Sequence, residues 1–390
     1  MLQLRDGTMT YKSLLSLIVI TLVVPTGSSS AGWEDKDAPG SLLERLTLSA
    51  DGRLRWEIDA GRPDAVGGAD RDVRHRGRGR FRVGMKAQIT EQWSGHLRVQ
   101  TGNDDNSPHE NFGSRFGTDG NWQISLGRAY LEYKPEPLEG VRMTGGRLPL
   151  AFKKNPVFGE TLWDDDLNVD GAQFDYTHAH DDHGYAATAS YSVLGFGDVV
   201  DDFEKARLIA AQVSGWANVG DVKLGVMQGA YIYRNLADTG VGGVPADGGS
   251  PDVLNTILYG TVPVTSDISL TLAGDLIVNP SADDDEMGYT AGASVGFPLC
   301  GKSAKAYYQW ARIEENALFG PASQDDHQFS GGARSGLGAK TGYSGHIAGV
   351  KVAFTKRLQL HLWTLSAKDL RDGNSDTFQQ RYRMDFNVKF

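Results

Sequence analysis

The sequence of 390 residues has a single cysteine, Cys300, and it has few long apolar runs. One cysteine excludes an intrachain disulfide bond and a zinc site built from several cysteines. The mean hydropathy of −0.36 argues against a membrane protein built from apolar helices. A formal net charge of −10 argues against a nucleic-acid-binding protein, because such domains are basic as a whole.

The one long apolar run, LLSLIVITLVVP at 14–25, lies near the N-terminus. Lys12 precedes it, and a small-x-small cleavage site ends at Ala31. These features predict a secretory signal peptide over residues 1–31, followed by a short periplasmic segment over residues 32–45. An uncleaved anchor is the alternative, but the run is shorter than the ~20 residues of a membrane-spanning helix.

Alternation of apolar and polar residues dominates the chain from residue 46 onwards. In LTLSADGRLRWEIDA at 46–60, apolar or small residues alternate with polar residues throughout. A period of two is that of a β-strand, and this stretch is longer than the usual strand of about five or six residues. The same pattern predicts sixteen strands, near 46–60, 73–89, 93–102, 122–134, 140–147, 170–178, 183–194, 206–219, 221–234, 254–262, 268–277, 287–297, 303–315, 344–354, 358–367 and 378–390. The alternation is imperfect near Leu126, and the strand at 140–147 is short.

The connections between these strands alternate between short and long. Outer-membrane barrels have tight turns at the periplasmic rim and long loops at the outer rim. The short connections include 90–92, Gly220 and 355–357, and the long ones are 61–72, 103–121, 149–169, 235–253 and 316–343. The pattern predicts an all-β, transmembrane, antiparallel up-and-down β-barrel over residues 46–390, with about 16 strands and 18 as the alternative.

Aromatic residues support a membrane location. The chain ends in the alternating stretch RYRMDFNVKF, and a last strand with a terminal aromatic resembles the signal that outer-membrane assembly machinery recognises. We therefore expect outer-membrane lipid and that machinery, through Phe390, as partners. Further aromatic residues at predicted short-turn ends would lie at the membrane interface, although packing in a core is the alternative. They are Trp93, Tyr133, Phe297 and Phe354.

Five arginines occupy every second position of the strand predicted at 73–89, so they share one face, opposite residues such as Phe81 and Val83. In a barrel the arginines would face a water-filled interior and the apolar face would meet lipid. Acidic residues of the first strand, such as Glu57, could neutralise them, and we expect both effects. The predicted pore-lining basic residues are Arg74, Arg76, Arg78, Arg80, Arg82, Lys86, Arg98 and Arg128.

Three blocks of the sequence carry a family resemblance. They are RFRVGMKAQITEQWSGHLRVQTGNDDNSP, LGRAYLEYKP and GRLPLAFKKNPVFGETLWDDDLNVDGAQFDY. Over residues 73–180 the chain resembles the putative porin family of Gram-negative outer membranes, and beyond them the similarity is architectural. The resemblance implies a barrel of sixteen to eighteen strands with a diffusion pore and, by analogy, a homotrimer.

The resemblance also places the connection 149–169 where general porins have an inward-folded constriction loop. Its acidic residues would face the arginines, and a basic wall opposite an acidic loop selects solutes by charge. The predicted constriction-loop residues are Glu160, Asp164, Asp165 and Asp166.

Three further motifs offer chemistry, but each has a simpler explanation. GFPLCGKS at 296–303 matches a phosphate-binding loop, yet the flanking residues alternate as strands do. Ser294 lies in a G-x-S-x-G string, but inside a predicted strand. His178, His180 and His183 could bind a transition metal, but polar residues are expected in a periplasmic turn in any case, and this explanation is favoured. We expect no metal, cofactor or catalytic residue.

The sequence therefore predicts an exported channel of the bacterial outer membrane and no enzyme. The leading hypothesis is a porin through which small hydrophilic solutes and ions diffuse passively, with a weak preference for anions. One alternative is a substrate-specific channel for an anionic solute such as phosphate or an acidic sugar. A more remote alternative is an outer-membrane barrel hydrolase, and a soluble nucleic-acid-binding protein is the last.

Overall fold

The computed structural model describes residues 41, 44–60, 73–102, 108–112, 122–194, 206–236, 250–323, 341–370 and 378–390. The predicted signal peptide and most of the segment 32–45 lie outside these residues, as do the loop 61–72 and parts of the other long loops. No helix among the described residues is long and apolar enough to span a bilayer.

The described residues form seventeen strands and a single-turn 3-10 helix, Gly320–Ala322. The alternation places side chains on two faces of each strand, and a long sheet results. The strands are β1 (Leu46–Ala60), β2 (Arg74–Gln88), β3 (Trp93–Thr101), β4 (Glu110–Asn111), β5 (Ile124–Tyr133), β6 (Val141–Pro149), β7 (Asn168–Ala179), β8 (His183–Val193), β9 (Arg207–Val219), β10 (Val222–Arg234), β11 (Val253–Pro263), β12 (Ser269–Val278), β13 (Met287–Leu299), β14 (Lys302–Ile313), β15 (Tyr343–Ala353), β16 (Leu358–Asp369) and β17 (Gln379–Lys389).

The sheet closes on itself as an antiparallel barrel. Each long strand pairs with the next long strand, and β17 pairs with β1, with Trp56 opposite Met384 and Leu54 opposite Phe386. Closure pairs the backbone groups that an edge strand would leave open. The predicted sixteen-stranded barrel is confirmed, and every predicted strand is present with each end within two residues of its observed position.

The seventeenth strand, β4, was not predicted. It has two residues and pairs with Arg78 and Gly79 of β2, beyond the point where the pairing of β2 with β3 begins at Arg82. Its sequence shows no alternation because two residues are too few for one, and it lies within the predicted loop 103–121.

The imperfect alternation near Leu126 marks a β-bulge. The register between β3 and β5 shifts between Arg98 and Val99, because Arg98 lies opposite Arg128 whereas Val99 lies opposite Leu126. One extra residue on β5, Gly127, therefore has no partner on β3. A bulge reverses the phase of the side chains that follow it.

The two faces of the wall differ in chemistry. Large apolar side chains such as Leu54, Trp56 and Phe81 are exposed on the outer face, where lipid would contact them. Polar and charged residues such as Glu57 and Asp59 alternate with them and are buried on the inner face. These inward residues are buried because they contact neighbouring residues of the wall and a loop that enters the barrel.

The two ends of the barrel also differ. The turn rim, with connections such as 220–221 and 300–301, has the tight turns that outer-membrane barrels place in the periplasm. The loop rim has the long connections. One of these, residues 150–167 between β6 and β7, folds inside the barrel and is called the inner segment below. Its apolar residues, with those of the neighbouring strands, form the apolar core of the molecule.

Candidate functional site

The inner faces of β17, β1 and β2 carry a regular array of charges, called the charge ladder below. The registers align one inward residue from each strand, so β1 contributes the central residue of every row. From the loop rim towards the turn rim, the rows are Arg381–Asp59–Arg74, Arg383–Glu57–Arg76, Asp385–Arg55–Arg78, Asn387–Arg53–Arg80 and Lys389–Asp51–Arg82. Strict alternation on three neighbouring strands is what stacks these rows on one face.

Short contacts join the rows from strand to strand. Glu57 accepts a hydrogen bond from Arg383 Nε at 2.5 Å and forms an ion pair with Arg76. Arg55 binds Asp385 with two hydrogen bonds of 2.7 and 2.9 Å. Each buried carboxylate thus lies against at least one guanidinium, which is the condition under which buried charges are tolerated. Because each of the five rows has more basic than acidic groups, the ladder is basic overall.

Apolar packing holds the inner segment against the far side of the wall. Trp163 and Phe152 surround Tyr231 of β10, with ring centroids 5.0 and 5.1 Å from the tyrosine ring. Phe158 lies 6.0 Å from the ring of Tyr307 on β14 and 6.4 Å from that of Trp363 on β16. The segment therefore crosses the interior from the β6–β7 hairpin to strands β10, β14 and β16.

Hydrogen bonds from inward side chains fix the backbone of the inner segment. Gln212 of β9 accepts from the Lys153 amide at 2.6 Å and donates to its carbonyl at 3.0 Å. Asn155 donates to Asp275 of β12 at 3.1 Å, and Lys305 of β14 donates to a carbonyl of the segment at 2.6 Å. The contacts of Gln212 and Lys305 satisfy backbone groups that a loop inside the barrel would otherwise leave without partners, and the Asn155 contact joins two side chains.

The acidic end of the inner segment returns to the charge ladder. Asp166 Oδ1 lies 2.9 Å from Arg80 Nη1 and 3.4 Å from Arg82 Nη1. The same two arginines also contact Asp51 of β1, Arg80 at 3.3 Å and Arg82 at 2.9 Å. The structure therefore brings Arg80 and Arg82 together with one of the four predicted loop acids, Asp166.

The other predicted loop acids have different surroundings. Asp165 forms an ion pair with Lys154 within the inner segment. Burial would raise the pKa of Asp165, but the Lys154 ammonium holds it below its ordinary value. Asp164 accepts a hydrogen bond from the Asp166 amide at 2.7 Å, which shapes the turn that carries Asp166. Glu160 lines the cavity between the segment and the ladder.

This cavity, of about 390 Å³, is the main open space beside the charge ladder. Strands β1, β2, β15, β16 and β17 form one side of it, and the inner segment forms the other. Eight basic and six acidic side chains line it, an excess of two positive charges. The basic ones are Arg53, Arg55, Arg78, Arg80, Arg82, Lys154, Lys351 and Lys389, and the acidic ones are Asp51, Glu160, Asp164, Asp165, Asp166 and Asp385.

His109, just before β4, forms part of the same cavity. Its Nδ1 lies 3.9 Å from Asp166 Oδ2. Burial, together with the guanidinium groups of Arg55 and Arg53, holds the pKa of His109 well below its ordinary value of 6.5. A neutral imidazole therefore lies between the ladder and the inner segment at neutral pH.

The remaining predicted basic residues lie outside this cavity. Arg74 and Arg76 form ion pairs with Asp59 and Glu57 nearer the loop rim, and Lys86 lies 3.9 Å from Glu132 nearer the turn rim. Arg128 and Arg98 both donate to Asn168 Oδ1, at 2.9 and 3.3 Å. Within the described part of the chain, neither of these two arginines has a carboxylate within ion-pair distance.

The sequence analysis missed several residues of the cavity. Arg53 and Arg55 of the first strand, and Asp385 and Lys389 of the last, were recognised as residues of the polar faces of their strands but not as part of the site. The signal was present, because closure of the predicted barrel places the last strand beside the first. The lining residue Lys351 of β15 had no such signal, since nothing in the sequence showed which strands face the inner segment.

Two of the other motifs lack the local structure that their chemistry requires. Strand β14 begins at Lys302, so a strand follows GFPLCGKS where a phosphate-binding loop needs a helix. Ser294 lies within β13, and no histidine of the described residues donates to it or accepts from it. The histidine-rich motif does bring His180, Asp182 and His183 together, in the turn between β7 and β8.

Residues 50–211 match the model of a family described as "Putative porin". The predicted family resemblance is confirmed. The matched residues include β1, β2 and the inner segment, which carry most of the candidate site. No curated protein sequence matched this chain.

Solved porin structures are similar to this chain. OmpF of Salmonella typhi, solved in complex with daunomycin, is 10% identical with a TM-score of 0.51, over 88% of this chain and 97% of that one. OccD3 (OpdP) of Pseudomonas aeruginosa is 12% identical with a TM-score of 0.49, over 90% and 92% of the two chains. A triple mutant of the Rhodopseudomonas blastica porin is 10% identical with a TM-score of 0.46, over 88% and 100%.

At these identities the likeness to OmpF shows the fold alone. The family match and the fold together support a channel of the outer membrane.

Proposed function

We propose that this chain is a porin through which small hydrophilic solutes and ions diffuse passively across the outer membrane, with a weak preference for anions. The observation that carries the proposal is the cavity of about 390 Å³ between the charge ladder and the inner segment, which is lined mainly by polar and charged groups. An enclosed polar passage inside an apolar-coated barrel is the arrangement that conducts ions across a bilayer.

In this proposal, the inner segment is the constriction loop and the cavity is the narrowest part of the passage. The ladder supplies positive charge on one side, and Glu160 with Asp164 to Asp166 supplies negative charge on the other. Charges of opposite sign on facing walls create a transverse field, which orients dipolar solutes as they pass.

The anion preference is expected to be weak because acids neutralise most of the arginines. Arg80 and Arg82 share Asp51 and Asp166, and Arg55 is bound by Asp385. Two other arginines of the cavity donate to neutral acceptors: Arg53 Nε to Asn387 Oδ1 at 2.7 Å, and Arg78 to the His109 carbonyl at 3.5 Å. An excess of two positive charges therefore remains along the passage.

Reversal potentials test this proposal. The full chain, reconstituted in a planar bilayer under a KCl gradient, should conduct with an anion-to-cation permeability ratio above one and below about ten. A chain that inserts but conducts no current, or that prefers cations, would contradict the proposal.

A second candidate is a channel specific for an anionic solute, such as phosphate or an acidic sugar. The alignment of the arginines favours it, because Arg74, Arg76, Arg78, Arg80 and Arg82 form a continuous track from the loop rim into the cavity. A bound solute would interrupt the ion current. Phosphate or galacturonate at millimolar concentration should then block single channels, whereas glucose should not. Single-channel currents that are the same with phosphate, galacturonate or glucose would favour the general porin.

We also propose that three copies of the chain assemble in the membrane. The outer surface of β2, β3, β5 and β6 has a shallow apolar depression of about 400 Å³. Its lining includes the small residues Ala87, Gly95, Ala129 and Gly145. A neighbouring barrel could pack closely there. Native mass spectrometry of the detergent-solubilised protein should show the trimer, and a monomer alone would contradict it.

Export and insertion are part of the same proposal. Residues 1–31 would act as a signal peptide, and the strand ending at Phe390 would be recognised by the outer-membrane assembly machinery. Sequencing the N-terminus of protein from isolated outer membranes tests the first point. Deletion of Phe390 should lower the amount of inserted protein and tests the second.

A further inference from the structure

The turn between β7 and β8 brings two imidazoles and a carboxylate together on the turn rim. Asp182 Oδ1 lies 3.2 Å from His180 Nδ1 and 2.6 Å from His183 Nδ1. The two imidazole rings are stacked with centroids 5.4 Å apart, and all three side chains are exposed. One donor atom from each residue lies within 4.8 Å of the other two.

Backbone hydrogen bonds hold this turn in one conformation. The His180 amide donates to the His183 carbonyl at 2.8 Å, which closes the turn. The Asn218 amide, near the end of β9, donates to the Asp182 carbonyl at 2.7 Å, and the Asn218 side chain donates to the Asp181 carbonyl at 3.3 Å. The turn is therefore fixed from two sides, and ordering it on ligand binding would cost little conformational entropy.

These separations suit coordination of a small metal ion. Two ligands at about 2.0–2.1 Å from a tetrahedral zinc ion lie ~3.3 Å apart. The distance between Asp182 and His180, 3.2 Å, is close to this value, whereas Asp182 and His183 would have to move apart from 2.6 Å. Imidazole nitrogen with one carboxylate oxygen is a donor set for Zn²⁺, Ni²⁺ or Cu²⁺ rather than for Ca²⁺ or Mg²⁺. The shared carboxylate oxygen lies between the two ring nitrogens, so small side-chain rotations would direct all three donors at one point.

We propose that His180, Asp182 and His183 bind one transition-metal dication of the Zn²⁺ class at the turn rim, with water in the fourth position. This site goes beyond channel function, because it lies at the end of the barrel away from the loop rim and none of its residues lines the cavity beside the charge ladder. A bound ion would connect the end of β7 to the start of β8 and stabilise that hairpin.

Calorimetric titration of the untagged, metal-free full chain in detergent tests the proposal, with ZnCl2 as the probe. The expected result is one site per chain, weakened at least about tenfold by His180→Ala, His183→Ala or Asp182→Asn. Matched controls are Asp181→Asn, the adjacent acid outside the donor set, and His346→Ala, an exposed histidine on β15. Both controls should bind as the wild type does.

Two further readouts separate a metal site from a structural turn. Co²⁺ should give the visible absorption of a tetrahedral site with nitrogen and oxygen ligands, and Zn²⁺ should raise the unfolding midpoint of the wild type but not of His183→Ala. Binding that is absent from the wild type, or that survives all three ligand changes, would overturn the proposal.

Discussion

Arg80 Nη1 lies 2.9 Å from Asp166 Oδ1, and this ion pair joins the wall strand β2 to the inner segment. Because Asp166 also contacts Arg82, one carboxylate partly neutralises two arginines of the proposed passage. Removing that carboxylate should expose their charge to permeating ions.

Asp166→Asn should therefore raise the anion-to-cation permeability ratio. A unit charge about 4 Å from an ion changes its energy by ~1 kcal/mol in water, which corresponds to a change of about fivefold. Arg80→Gln should shift the ratio in the opposite direction. The control is Arg147→Gln, whose ion pair with Asp170 lies on the half-exposed outer side of β6 and β7. An unchanged ratio in Asp166→Asn would show that the ions pass elsewhere.

Glu57→Gln should destabilise the closed barrel. The Glu57 side chain is 0% exposed and lies between Arg383 and Arg76, so its neutralisation removes a close carboxylate contact from both guanidinium groups and leaves Arg76 with the more distant Asp59, at 3.7 Å. Breaking a buried ion pair in this way costs about 3–5 kcal/mol. Urea unfolding in detergent, followed by tryptophan fluorescence, measures the loss. Asp170→Asn removes a surface pair and should change the stability by less than about 1 kcal/mol.

Trp163→Ala should loosen the inner segment. The mutation removes the ring that packs against Phe152 and Tyr231, and truncating a buried tryptophan to alanine typically costs about 3–5 kcal/mol. We expect lower thermal stability and larger single-channel current fluctuations. Phe174→Ala on the outer face of β7 is the control, because its side chain is 41% exposed and would contact lipid. If the single-channel current of Trp163→Ala fluctuates no more than that of the wild type, the hydrogen bonds of the inner segment are sufficient to hold it in place.

The fold was largely predictable from the sequence, whereas the candidate site was predictable only in part. Alternation defined the strands because each residue of a barrel wall faces either lipid or water. The same logic placed Arg80 and Arg82 on the inner face. It could not show that Asp166 would reach them while Asp165 pairs with Lys154, since both acids lie in a loop without periodicity. Tertiary packing of Trp163 and Phe158 decides which loop acid faces the ladder.

Stability should fall as the pH falls below about 6.5, and His109 should account for part of the change. Its pKa is held well below 6.5 in the folded protein, so between pH 6.5 and that lower value the unfolded chain binds the additional proton. The free energy of unfolding then decreases by up to about 1.4 kcal/mol per pH unit as the pH drops. His109→Gln should reduce this slope in urea unfolding measured from pH 7.5 to 5. An identical slope in the variant would contradict the assignment.

Every row of the charge ladder takes a side chain from β17, and the contact between Arg381 and Asp59 joins residues 322 positions apart in the chain. The seam between β17 and β1 closes the barrel. Until that seam forms, Asp59 and Glu57 each lack their arginine partner on β17. The charge pattern that would select ions is therefore absent from any open sheet, so a barrel that has not finished assembling has no selective passage.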